Sequence, residues 1–163
     1  MAYTTATAIP SARLMAIADY FIWLANETGS YISNLKLQKL VYYAQAWYLA
    51  LYGQPLFDED FEAWIHGPVI PELYREYKIF GWKPILMDVE APDFSEEIRD
   101  FLEELTEVYF GCDAFELEQM THHEDPWIQA RGNLSLDTPC KAIISKASMK
   151  EYYKTRAEEN QET

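Results

Sequence analysis

Leu14, Ile17, Phe21 and Leu24 recur three and four positions apart, Ser11 precedes them and Gly29 follows, which predicts an amphipathic helix with a serine cap and a glycine stop. The next segment, SNLKLQKLVYYAQAWYLALYG, repeats the pattern more strongly. Leu37, Leu40, Val41, Ala44, Trp47, Tyr48 and Leu51 form an arc broad enough for a central helix, with Asn34 as its expected cap and Gly53 as its stop. Over residues 61–65 the period changes: Phe61, Ala63 and Ile65 alternate with Glu62 and Trp64, a short strand by pattern, which Gly67 and Pro68 are expected to break with a turn. Pro71 then opens a helix through Leu73, Tyr74, Tyr77 and Phe80, and residues 85–89 read as a second short strand. Ser95 caps a helix whose stripe is Ile98, Phe101, Leu102, Leu105, Val108 and Tyr109. Asp113 and Glu116 have capping-box spacing before a shorter helix, Asp125 is the expected cap of another with Pro126 at its first position, and Ser148 and Glu151 form a second capping box that opens a last helix with Tyr152 and Tyr153. The expected architecture is mainly α, a compact single domain of about six helices with a small β-hairpin or short sheet inserted. Residues 1–10 read as an N-terminal arm, 11–156 as the domain and 157–163 as a polar tail that frays.

Charge changes this picture by marking one helix. The 163 residues carry 13 Lys and Arg against 27 Asp and Glu, a formal net charge of −14. Residues 88–125 hold 14 of the acids against the single Arg99, a net of −13. Glu96, Glu97, Asp100, Glu103, Glu104 and Glu107 all fall outside the apolar stripe, so the predicted helix shows solvent an acidic face. Such a surface repels phosphate backbones, which argues against direct nucleic-acid binding, and it attracts basic proteins. No stretch approaches the roughly 18 apolar residues of a membrane span, and no export signal precedes the domain; a cytoplasmic protein with Cys112 and Cys140 as reduced thiols is the expectation.

Candidate chemistry is sparse. His122 and His123 are adjacent and diverge on a helix by about 100 degrees, so they do not converge on one metal. Cys112 stands just before a helix start, where a thiol pKa can fall, but no orienting base accompanies it. No phosphate-binding glycine loop, dinucleotide fingerprint or nucleophile elbow occurs. An enzyme is therefore not the leading reading, and neither a cofactor nor a metal is expected. Aromatics are abundant instead: Tyr42, Tyr43, Trp47, Tyr48, Tyr52, Trp64, Tyr74, Tyr77, Phe80 and Trp82 crowd into residues 42–82. A surplus of Tyr and Trp beside an acidic segment suggests a protein-binding surface.

The segment running from KLQKLVYYAQ to AWIHGPVIPELY, together with the later LEQMTHHEDPWIQAR, resembles the Panacea-domain antitoxin family, which is related to the phage-associated protein GepA and the antitoxin SocA. His66 departs from the aromatic, most often Tyr, that the pattern has there. The resemblance implies a helical scaffold with a small sheet. It also implies an antitoxin with little or no enzymatic activity of its own that neutralises a co-encoded toxin by binding it. Leu37, Lys39, Leu40, Tyr43, Gln45, Gly67, Pro68, Val69, Thr121, His122, Pro126 and Trp127 carry the motifs and are expected to be scaffold.

Trp64, His66, Tyr74, Tyr77 and Trp82 are the expected aromatic part of a partner-binding surface, with Glu96, Asp100, Glu103, Glu104 and Glu107 as its acidic part. The partner would be a cognate protein toxin encoded by the adjacent gene. Competing readings are a proteolytic adaptor that delivers the toxin to a cellular protease, a phage-associated regulatory protein with a part in phage defence, an operator-binding regulator, and an enzyme using Cys112 or His123.

Overall fold

The computed structural model describes residues 8–162; residues 1–7 of the expected arm and Thr163 of the expected tail lie outside the described residues. The order is α1 (Ala12–Thr28), α2 (Asn34–Tyr52), β1 (Phe61–Trp64), β2 (Gly67–Val69), α3 (Pro71–Tyr77) with a 3-10 turn Lys78–Phe80, α4 (Glu96–Tyr109), α5 (Ala114–His122), α6 (Asp125–Arg131), β3 (Ile143–Ile144) and α7 (Lys146–Glu162). Mainly α with a small sheet is thus the observed class. The central helix is α2: it packs against α1, α3, α4, α5, α7 and the hairpin, and every residue from Leu37 to Ala46 is buried. Its ring side chains form the middle of the core, where Tyr43 stacks on Tyr109 at 4.2 Å and Tyr42 meets Phe61 edge-on at 5.1 Å.

A helix buried all round must satisfy its polar side chains internally. Gln38 accepts from the Ile70 amide at 3.0 Å and donates to Asn34, whose own amide reaches the Tyr74 carbonyl, so the pair fixes the hairpin exit and α3. Gln45 accepts from the Leu56 amide at 2.7 Å and donates to the Phe57 carbonyl, which pins the loop after α2. Asn34 is spent on this packing, and the α2 cap is Ser33, whose hydroxyl accepts from the Lys36 amide. At the other end of the helix, Gly53 adopts the left-handed conformation expected of a stop.

The sheet has the order β2-β1-β3, antiparallel throughout. Trp64 pairs with Gly67, so residues 65–66 are the turn, and Gly67 and Pro68 belong to a strand instead of breaking one. Pro68 is admissible there because β2 is an edge strand and its partner Ala63 sends its N–H the other way, to the Ala142 carbonyl at 2.9 Å. Residues 85–89 do not form the expected strand. Ile85 donates to the Ile32 carbonyl beside a lone Ser33–Pro84 bridge, and the third strand is Ile143–Ile144, two residues too few for an alternation signal. The last helix starts before the expected Ser148 cap, with the Ser145 hydroxyl accepting from the Ser148 amide, and continues to Glu162 through the segment expected to fray. What holds it is the α2·α7 face, through Tyr153 against Tyr42, Tyr43 and Trp47.

Candidate functional site

The two motif segments, far apart in sequence, meet under the β1–β2 hairpin. Trp127 in α6 donates its indole N–H to the Trp64 carbonyl at 2.9 Å, and Arg131, one turn on, donates to the Ala63 carbonyl at 2.9 Å. Two consecutive carbonyls of β1 are thereby held by one helix. The Arg131 guanidinium also donates to the Ser135 and Thr138 carbonyls at 2.7 and 2.6 Å and lies over the Trp127 ring, on which His122 stacks at 4.0 Å. Glu124, in the α6 cap position that Asp125 was expected to fill, does not cap with its side chain. Its buried carboxylate accepts from Tyr43 and Tyr153 at 2.7 Å each and from Arg156 at 2.9 Å, joining α2, α6 and α7.

Lys39 sits at the centre. Its side chain is 1% exposed, its Nζ has no hydrogen-bond partner, and it lies directly beneath Gly67. Burial lowers its amine to a pKa of about 7, against the opposing pull of the Glu118 carboxylate. His122 is lowered as well, first by burial and further by Lys39 and Arg131, with Glu118 and the Ile65 backbone opposing. At Gly67 φ is +105°, and a Cβ there would stand 2.7 Å from Lys39 Cε and 3.0 Å from Thr121 Oγ1. Gly67→Ala therefore combines left-handed strain with crowding of a confined lysine; we expect a loss of about 2 kcal/mol, a melting temperature lower by about 6 °C. Scanning calorimetry checks this, and an unchanged midpoint would refute the packing argument.

Of the expected surface residues, Trp64, His66 and Tyr74 come together. They line a groove of about 360 Å3 with Leu35, Ile65, Pro139, Cys140 and Lys141. The Trp64 and Tyr74 rings meet at 5.1 Å, Trp64 donates to Glu62 at 2.8 Å, and exposed His66 pairs with Glu118 at 3.0 Å. Tyr77 does not belong to this surface: at 1% exposure it is a core residue, because the helical turn beginning at Pro71 points it, with Leu73, inward. Trp82 is 82% exposed on the loop after the 3-10 turn, apart from the groove. Glu96, Asp100, Glu103, Glu104 and Glu107 are all exposed on α4, whose other face buries Ile98, Phe101, Leu102, Leu105 and Tyr109. That helix packs on α2 through Phe101 against Tyr48 and Tyr52, and no hydrogen bond or ring contact joins it to the hairpin groove among the described residues.

Cys112 and His123 are the residues of the enzyme reading. Cys112 precedes α5 and His123 is its C-cap, with its Nδ1 bonded to the Gln119 carbonyl at 2.7 Å. The Cys112 thiol is pushed up, by burial first and then by Glu116 and Asp113, the wrong direction for a nucleophile. Among the described residues no cluster of three His, Cys, Asp or Glu side chains suits a metal ion, both cysteines are free, and no helix is long and apolar enough to cross a membrane.

Residues 37–128 match the family described as "Antitoxin SocA-like, Panacea domain". Antitoxin SocA of Caulobacter vibrioides (strain NA1000 / CB15N) is 42% identical over 71 residues, a region that covers 44% of this chain and 38% of that protein, so the chain matches well under half of the relative's length. No solved structure matches.

Proposed function

Because the chain belongs to the SocA-like antitoxins with a Panacea domain, we propose that it is a cytoplasmic antitoxin that neutralises a protein toxin, encoded beside it, by binding it directly and without catalysis. The observation that carries this reading is the division of labour along the chain. The motif residues Lys39, Gly67, Thr121, Trp127 and Pro126 are buried and hold the hairpin against three helices, whereas the six carboxylates of α4 from Glu96 to Glu107 all face solvent. Buried motifs build a scaffold, and a single-sign exposed face steers a partner of opposite charge.

Co-expression with the neighbouring open reading frame tests the proposal. Its product should arrest growth alone, be harmless with this protein in excess, and bind it when both are purified. The association rate constant should fall about tenfold between roughly 0.05 and 0.5 M salt, because exposed charges are screened over a Debye length. A salt-independent rate would remove α4 from the interface. Neutralisation that vanishes in a protease-deficient host, with no inhibition between purified components, would replace direct masking by the adaptor mechanism.

A further inference from the structure

Helices α1 and α4 each pack on α2, and between them they border a cleft of about 400 Å3. Aromatic rings form much of its wall. Tyr20 and Trp23, one turn apart on α1, meet at 6.2 Å, and Phe94, on the loop that leads into α4, meets Tyr20 edge-on at 6.3 Å. Tyr20 is buried, whereas Trp23 and Phe94 are half-buried, so part of each of these two rings is open to solvent.

The α4 side of the cleft carries Glu103 and Glu107, with Arg99 one turn before them. The lining thus holds two acids and one base, and the base is engaged elsewhere. The Arg99 guanidinium donates to the Phe94 carbonyl at 3.1 Å and stands 4.0 Å from Asp93, instead of turning along the helix to Glu103. Among the described residues no hydrogen bond or ion pair takes up the Glu103 or Glu107 carboxylate; Thr106 bonds the Glu103 carbonyl only. Like charges four positions apart on a helix repel, so the free protein holds an unfavourable pair that a cation would relieve. The Tyr20 phenol reports how near one of them lies: it is pushed up by burial first, with Thr106 opposing and the Glu103 charge adding.

Aromatic rings and unpaired carboxylates around one cleft attract the same class of ligand, an organic cation, and repel an anion. We propose that the cleft between α1 and α4 binds an arginine side chain, its guanidinium between Glu103 and Glu107 and its body against Tyr20, Trp23 and Phe94. Arginine suits both walls better than lysine, because its planar head stacks on rings and pairs with carboxylates in a fixed fork. The bearer of that side chain is the protein this antitoxin neutralises, an assignment that rests on the antitoxin reading, whereas the chemistry of the cleft does not. A second copy of the chain is a poor bearer, since each carries a net charge of −14.

The probe is N-acetyl-arginine amide, titrated at constant ionic strength into the isotope-labelled full chain while the Trp23 indole N–H is followed by NMR. The expected result is a saturable shift of that signal with a dissociation constant of the order of 1 mM, the range for so small a ligand. Glu103→Gln/Glu107→Gln should weaken it at least about fivefold, and N-acetyl-norleucine amide, which has an aliphatic side chain and no charge, should produce no comparable shift. Both carboxylates are exposed, so the double variant should keep its melting temperature within about 2 °C. Equal binding of the norleucine amide, equal affinity of the double variant, or shifts confined to Trp64 or Trp82 would each overturn the proposal, as would a dimer in sedimentation that the probe disperses. The neighbouring gene's product separates the two levels of claim. If it is not bound by the wild-type chain, the antitoxin reading falls and the arginine site stands on the probe. If it is bound equally by wild type and the double variant, the partner is not the bearer of the arginine and that assignment falls.

Discussion

Lys39→Met should raise the stability of this protein by about 3–4 kcal/mol at pH 6, a melting temperature higher by about 10 °C, and the gain should shrink to about half by pH 9. The amine is buried beneath Gly67 without a hydrogen-bond partner, and its pKa falls from 10.5 to about 7. Between those two values the unfolded chain holds a proton that the folded chain has shed, so folded stability rises with pH across that window and the penalty is largest below it. Methionine keeps the aliphatic stem that fills the space against Gly67 and Thr121 and deletes only the group that burial penalises, as when buried ions give way to apolar side chains. Urea titrations of both proteins at pH 6, 7.5 and 9 measure the difference. A destabilised variant at pH 6, or a difference that does not change with pH, would mean that the amine has a partner in solution.

That a lysine occupies the middle of a helix buried on every side explains where sequence reading succeeds and where it fails. Period and capping chemistry are local, so α1, α4 and the capping box of α5 are legible from Ser11, Ser95, Asp113 and Glu116, each bonded as its position implies. In α2 the apolar arc identifies a central helix, but Asn34, expected as its cap, and Gln38, Lys39 and Gln45, which lie off that arc, are all buried. The two glutamines and Asn34 bond backbone groups of segments up to 40 residues away, which no window contains, and Lys39 has no hydrogen-bond partner. The hairpin fails in the same way. Gly67 and Pro68 carry turn chemistry, yet both lie in a strand, and the need for glycine comes from Lys39 below and from φ.

For the surface, legibility depended on whether burial follows from one element. The acids of α4 are exposed as its stripe dictates, because one face of one helix decides the matter. Aromatic crowding over residues 42–82 does not reveal which rings are covered: Tyr42, Tyr43 and Tyr77 are core, Trp64 and Tyr74 share a groove, and Trp82 stands free on a loop. Glu124 was hidden in an acidic run. Only the chain's path shows that this carboxylate turns inward while its neighbour Asp125 faces solvent.

Glu124→Ala should cost about 4 kcal/mol and lower the melting temperature by about 10 °C, because it strands two buried hydroxyls and a guanidinium that now converge on one carboxylate. Glu124→Gln keeps an acceptor for the tyrosines but not the charge opposite Arg156, and should cost about 1–2 kcal/mol. Adding Arg156→Met to Glu124→Ala removes the unpaired cation and should recover part of the loss; a fully additive double variant would show that the pair is not coupled. The titration of Glu124 has the reverse sign of an ordinary salt-bridged acid. Burial raises its pKa above 4.5 despite the three donors, so the folded state holds the proton more tightly than the unfolded chain. The stability contributed by this group therefore rises as pH falls through the folded pKa towards 4.5. The gap between wild type and Glu124→Gln, which cannot titrate there, should widen from pH 7 to pH 5 in parallel denaturations. A gap that narrows would place the folded pKa below the unfolded one and make the Tyr43, Tyr153 and Arg156 donors, not burial, the dominant influence on this carboxylate.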